Sequence, residues 1–156
     1  MSSARSQRFR YWQDGYQALS ALHRLVAGSG LEASLLELVR MRASQINGCA
    51  YCIDMHAKDA RRAGETEQRL YALDAWREVP FFTKRERAAL TLTEAVTLIS
   101  TAHPAEDVIE EAASEFSPDQ LSHLLYAIIE INCWNRLAIT TGKPEPGSYV
   151  PPEAGS

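Results

Sequence analysis

Cys49, Cys52 and His56 fall within eight residues of one another, in the stretch Cys49-Ala-Tyr-Cys-Ile-Asp-Met-His56. On a helix turning 100° per residue, Cys49, Cys52, His56, Ala60 and Ala63 share a sector of about 80°, with Ile53 beside them. Asp54, Lys58, Arg61 and Arg62 take the opposite side, so the thiols and the imidazole face inward and the charges face water. Cys52 and His56 are i and i+4, a spacing at which helical side chains meet. Cys49 and Cys52 are i and i+3, compatible with a disulfide where the first turn adapts. The helix N-terminus favours negative charge and lowers the pKa of a thiol placed there.

The chemistry this allows can be sized. A thiol of pKa ~8.5 is roughly 3% thiolate at pH 7, and lowering it to ~6.5 raises that fraction about 25-fold. Nucleophilicity falls as basicity falls, and with a Brønsted slope of ~0.45 the net gain is only about threefold. A proton source for the leaving group contributes more, typically ~10²–10⁴-fold. His56 is the local candidate. The pattern points to a dithiol site with an acid/base histidine.

Other chemistries of the pair are weaker. A thioredoxin-type site expects a strand before the cysteines, and here the preceding segment has helical periodicity. A c-type haem site needs histidine directly after the second cysteine, where Ile53 stands. Zinc could use Cys49, Cys52 and His56 with a carboxylate, but the chain has no second Cys/His cluster and the ligands would crowd one segment. Two core cysteines with a satisfied core histidine is the bland alternative.

The elements that position these residues are helical throughout, and strand alternation is nearly absent. The pattern predicts helices over about 9–27, 32–46, 49–63, 66–76, 83–100, 104–114 and 119–141. Leu31, Leu35, Leu38, Val39 and Ile46 form the apolar stripe of the second, and Asn47-Gly48 ends it. Thr83 with Glu86 and Ser117 with Gln120 are capping boxes. Pro104 suits the first turn of its helix, and Pro118 the first position of the last. The last helix is the most apolar and is closed by Gly142 and Pro144. The expected fold is a single all-α domain over residues 1–146, a bundle of six to seven helices. The tail 147–156 lacks an apolar period and is expected without order.

Composition narrows the function. The chain has 156 residues, 46% hydrophobic and 23% charged, with net charge −4, which disfavours a general binder of nucleic acid. No apolar run reaches the ~18 residues of a membrane span. The N-terminus has no apolar signal region, so the expected location is the cytoplasm. An odd count of three cysteines in such a compartment argues against a disulfide scaffold and for chemistry at the pair.

The stretch Glu37-Leu-Val-Arg-Met-Arg-Ala-Ser-Gln-Ile-Asn-Gly-Cys-Ala-Tyr-Cys-Ile-Asp-Met-His56 resembles the core motif of the alkylhydroperoxidase D-like family, within the carboxymuconolactone decarboxylase superfamily. Its glutamate stands twelve residues before the first cysteine, and its histidine four after the second. The resemblance continues through residues 79–90 and 133–136 and covers roughly residues 10–145. It implies an all-helical, homo-oligomeric enzyme (trimer or hexamer) with no metal or bound cofactor. Such an enzyme reduces an organic hydroperoxide or hydrogen peroxide and is recharged by a dithiol reductant such as a lipoylated or thioredoxin-like protein. By that analogy Cys52 attacks, Cys49 resolves, and His56 with Glu37 relays protons. Tyr51 stands where the best-known peroxidase of the family has a further histidine; a phenol of pKa ~10 donates a hydrogen bond but is a poor acid/base near neutrality. A lyase of the decarboxylase branch, or a non-catalytic redox-sensing or zinc-binding module, are the alternatives.

The helical wheel disagrees with the resemblance at one residue. Glu37 lies about 180–200° from the Leu35/Val39/Ile46 stripe, on a face that reads as solvated. For Glu37 to reach the site, its helix must be buried on two sides.

Elsewhere, His23, His103 and His123 read as surface residues and Cys133 as an inert buried thiol. Asn132 and Asn135 read as amides tying helices together or walling the site. Tyr11, Trp12, Phe81, Phe82 and Trp134 read as core or subunit contacts, and Lys84-Arg85 and Arg87 as solvated charges.

Overall fold

Two capping boxes and a glycine turn set the main helix boundaries in the computed structural model, which describes residues 8, 9 and 13–152. Among these residues the chain forms seven α-helices, one 3-10 turn and no strand. The helices are α1 (Gln13–Ala27), α2 (Ala33–Asn47), α3 (Ala50–Arg62), α4 (Glu67–Ala72), α5 (Lys84–Thr97), α6 (Glu106–Glu115) and α7 (Pro118–Thr141). The expected start of the first helix, with Tyr11 and Trp12, lies outside the described residues.

The local signals act as their chemistry requires. Thr83 and Ser117 each accept a bond from the backbone N–H three residues on, and Glu86 and Gln120 each accept one from the cap residue's backbone N–H. Gly48 closes α2 in the left-handed conformation, at φ 69°, and the Cys49 amide donates to the Ser44 carbonyl at 2.9 Å. That 6→1 bond turns the chain sharply into α3. Two expectations fail. The helix expected over 66–76 stops at Ala72 and passes into a 3-10 segment, Leu73–Glu78, which is kinked at Ala75 and buries Leu73 and Trp76 in the core. Pro104 does not enter the first turn of α6, because Ala105 is its N-cap.

α2 is the centre of the bundle and packs on α3, α5 and α7. Leu35 and Val39 join a core formed with Ala88, Leu92, Leu124 and Ile128. Leu38 and Met41 join a second with Leu73, Trp76, Phe82 and Leu90. Ala43 joins a third with Cys49, Cys52, Ile131 and Ala138. A helix that feeds three cores has no wide solvent face, and this decides where Glu37 goes.

Candidate active site

The α2–Gly48–α3 hairpin brings Glu37 to His56. Helices running antiparallel away from Gly48 set residues at equal distances from it side by side, so positions 37–40 face positions 56–59. Glu37 Oε2 lies 2.8 Å from His56 Nδ1, and Glu37 Oε1 accepts from Arg40 Nη1 at 2.9 Å. His56 is buried and the Glu37 side chain is 14% exposed. The solvated position expected from the wheel is therefore overturned, and the burial comes from within this chain. Desolvation opposes ionisation of Glu37, but the hydrogen bonds and charges of His56 and Arg40 win and hold its carboxyl below the ordinary range. An ionised Glu37 can only accept, so His56 Nδ1 carries the hydrogen and Nε2 is the nitrogen available for proton exchange.

Both thiols lie on the same helix start. Cys49 is the N-cap of α3 and Cys52 sits in its first turn; both are buried and free. Their sulfurs are 2.6 Å apart and share a hydrogen bond. That bond from Cys52, opposed by burial and aided by the Cys52 and Tyr51 amides and by Asn135, brings the Cys49 thiol down to about 7. The same bond, with burial, pushes the Cys52 thiol up. One proton thus serves two sulfurs, and the pair titrates as a unit. His56 follows Cys52 by one helical turn, and Cys52, His56 and Ala60 are the buried residues of α3; Ala63, the C-cap, is exposed.

Tyr51 and Trp134 pack against the core that holds the thiols, and Trp134 meets Tyr16 edge-on, with ring centroids 5.3 Å apart. Burial and the neighbouring Cys52 push the Tyr51 phenol up, so it stays a neutral donor. Asn135 is fully buried; it accepts from Asn47 Nδ2 at 2.9 Å and donates to Ser44 Oγ at 3.0 Å. Asn132 accepts from the same Asn47 nitrogen at 2.9 Å and donates to Thr97 Oγ1 at 3.0 Å. The asparagines tie α7 to α2 and α5, and Asn135 also favours the thiolate.

Several residues stand elsewhere than expected. Cys133 is exposed, because α7 buries Leu124, Ala127, Ile128, Ile131, Asn135 and Ala138, and position 133 falls on the other face. His23 is not isolated; its Nδ1 lies 2.5 Å from Glu130 Oε1. His123 is half-buried, whereas His103 is exposed. Arg85 and Arg87 are half-buried, lying over Phe116 and Trp76 and donating to the backbone carbonyls of Glu115 at the end of α6 and of Phe82. Arg40 and Glu130 escaped sequence reasoning altogether. A single carboxylate inside the apolar run from Leu124 to Ile131 was the signal for Glu130.

The carboxylates and His56 also bear on metals. Glu37, His56 and Asp59 bring ligand atoms within 4.8 Å of one another, a group that contains neither thiol. Each carboxylate of that group already has partners: Glu37 has His56 and Arg40, and Asp59 accepts from the Tyr149 hydroxyl at 2.7 Å. Tyr149 belongs to the segment after α7, and its carbonyl accepts from Lys58 Nζ at 3.0 Å. The C-terminal segment therefore lies against α3 beside the site.

A family model described as the carboxymuconolactone decarboxylase family matches residues 13–95, more than half of the chain. The chain belongs to this family. The match takes in the whole Glu37–His56 arrangement. Among relatives, it is 39% identical over 140 residues to the uncharacterized protein YdfG of Bacillus subtilis (strain 168), covering 88% of this chain and 95% of that one. Among solved structures, it resembles a protein of unknown function from Agrobacterium tumefaciens with the provisional designation antioxidant defence protein AhpD. The TM-score is 0.83 and the identity 38%, over 86% of this chain and 92% of that chain. An uncharacterized peroxidase-related protein from Silicibacter sp. TM1040 shares the fold, with TM-score 0.71 and 23% identity over 81% of this chain and 67% of that chain. The carboxymuconolactone decarboxylase fold in its alkylhydroperoxidase D-like form is thus the frame of the site. Among the described residues no helix is long and apolar enough to cross a membrane.

Proposed function

We propose that the protein is a thiol-dependent hydroperoxide reductase. The observation that carries this reading is the Glu37–His56 pair, at 2.8 Å, on the hairpin that also holds two buried thiols 2.6 Å apart. Cys52, one turn from His56, attacks the terminal oxygen of a hydroperoxide as thiolate. The O–O bond breaks, Cys52 becomes a sulfenic acid, and the alkoxide takes a proton from His56, which Glu37 orients. Cys49 then attacks the Cys52 sulfur, water leaves and a disulfide forms. An external dithiol, from a lipoylated or thioredoxin-like protein, supplies the two electrons that restore the thiols. With the Cys49 thiol low and the Cys52 thiol raised, the resting thiolate lies on Cys49, and attack by Cys52 requires its proton to pass to Cys49 across the contact between the sulfurs. The cycle suits a reducing compartment such as the cytoplasm. Exposed Leu125, Tyr126, Ile129 and Leu137 on α7 support a homo-oligomer.

The test is consumption of an organic hydroperoxide with dihydrolipoamide as electron donor. The wild-type protein turns over and Cys52→Ser does not; equal rates in the two would reject the mechanism.

A further inference from the structure

Glu37 is joined to a second buried carboxylate through one guanidinium. Arg40 donates through Nη1 to Glu37 at 2.9 Å and through Nη2 to Glu130 Oε2 at 3.4 Å. Glu130 Oε1 lies 2.5 Å from His23 Nδ1 and accepts from Trp134 Nε1 at 3.1 Å. The Arg40 and Glu130 side chains are 6% and 1% exposed, while His23 is 43% exposed. A continuous chain of contacts therefore runs from His56 on α3, through Glu37 and Arg40 on α2 and Glu130 on α7, to His23 at the surface of α1. Arg40 Nε is buried without a partner among the described residues, so the two carboxylates are what balances this cation.

The charge count is the point. Two carboxylates and one permanent cation leave one negative charge unmatched, and an unmatched buried charge is costly. A proton on a histidine matches it, and a histidine stands at each end of the chain. Guanidinium does not give up its proton, so no proton passes through Arg40; what passes is the field. When His23 is protonated, Glu130 is neutralised locally and Arg40 is left to Glu37. When His23 is neutral, Arg40 is shared, and the unmatched charge falls on the Glu37–His56 end.

We propose that His23, acting through Glu130 and Arg40, is a positioning residue for the Glu37–His56 pair, and that His23 and His56 compete for the one proton that neutralises this network. Its consequence for turnover rests on the peroxidase reading; the competition itself does not. The other titratable groups at the His56 end are Asp59 with its bound Tyr149, the thiols of Cys49 and Cys52, and Tyr51 beside Cys52. Arg40 is the charged group that faces Glu130 and His23 from α2. These groups are common to the proteins compared below and set the baseline, not the difference.

The experiment follows the ring signals of His23 and His56 by NMR through a pH titration of the full-length, reduced protein. His23→Gln keeps a donor for Glu130 but cannot take a proton. It moves the His56 midpoint upward by about half a pH unit or more, roughly threefold in proton affinity. Linkage is reciprocal, so His56→Gln moves the His23 midpoint upward as well. Glu130→Gln removes a negative charge and moves the His56 midpoint downward. Opposite signs for His23→Gln and Glu130→Gln are not produced by a loss of packing. An unmoved His56 midpoint in a folded His23→Gln protein, with native circular dichroism, overturns the proposal, as does a downward shift. If the midpoints move as stated while the wild-type protein reduces no hydroperoxide at any pH, the coupling stands and the peroxidase reading fails. If both hold, the alkaline limb of the pH–rate profile, where His56 loses the proton it donates, moves toward higher pH in His23→Gln.

Discussion

Nδ1 of His56 lies 2.8 Å from Oε2 of Glu37, although the two residues belong to different helices on either side of Gly48. The Schellman turn at Gly48 fixes the hairpin, and Arg40 holds the other carboxylate oxygen, so the glutamate is clamped on both sides. A carboxylate held this way fixes the tautomer of its histidine and stabilises the cation formed in proton transfer.

Glu37→Gln keeps the size of the side chain and removes its charge. In the proposed reaction this lowers the rate of hydroperoxide reduction by about 10²-fold, the usual scale for a misdirected acid/base group. The affinity for the hydroperoxide changes little, because Glu37 reaches the substrate only through His56. Steady-state kinetics with dihydrolipoamide measures both quantities.

The two thiols have separable roles. In Cys49→Ser, a brief hydroperoxide pulse leaves Cys52 as a sulfenic acid with no partner, and dimedone labels it. In Cys52→Ser no such adduct forms at Cys49. In the wild-type protein the pulse gives a Cys49–Cys52 bond, and Cys133, on the outer face of α7, takes no part in it. Peptide mass spectrometry reads all three results. Label on Cys49 in Cys52→Ser would reverse the assignment.

What the sequence made legible is what local rules govern. The two capping boxes, the Asn47–Gly48 stop and the inward face of Cys49, Cys52 and His56 each depend on a few neighbouring residues, and each stands in the structure. Glu37 was misplaced by its wheel because a single apolar stripe assumes one-sided packing, and α2 packs on α3, α5 and α7. The motif resemblance put Glu37 near His56 where periodicity could not. Arg40 and Glu130 were missed for a related reason: their burial is offset by charges 90 residues apart in the chain, and no local pattern encodes such a partner. Cys133 reads as buried from sequence because α7 is apolar on most sides, which hides the face that meets the bundle.

Acid stability follows from the carboxylates. Burial works against ionisation of Glu37, Glu86, Glu94 and Glu130, yet bonds to His56 and Arg40, to Arg69 and Thr83, to Trp76, Arg77 and Arg42, and to His23 and Arg40 respectively hold all four below the ordinary range. A depressed folded pKa means that the unfolded chain takes up the proton first as pH falls. The stabilisation is therefore complete above the ordinary carboxylate value of about 4.5 and is lost as pH falls through the folded values. Thermal melts between pH 7 and pH 3 show a plateau and then a fall below about pH 5. Glu94→Gln, which removes one of these four groups, makes the fall shallower and lowers the plateau. A melting temperature that rises on acidification contradicts the ion-pair geometry.

Tyr149 offers a test of how the C-terminal segment lies on α3. Burial is the main influence on its phenol, followed by the hydrogen bond and charge of Asp59, and together they push it up to about 12. The hydroxyl donates to both Asp59 oxygens, at 2.7 and 3.0 Å, so the folded protein favours the neutral phenol beside a fixed carboxylate. For a raised pKa the stabilisation is fully present below the unfolded value, near 10, and is lost as pH rises through the folded one. Docking of the segment should therefore weaken between about pH 10 and about pH 12. Absorbance at the tyrosinate band follows this, and the chain has six tyrosines, so the assignment needs a variant. Tyr149→Phe removes the last-titrating component, and Asp59→Asn shifts that component toward lower pH by taking away the carboxylate. If the component is the same in wild type and Tyr149→Phe, the phenol is not bound to Asp59 in solution, and the segment does not lie against the site.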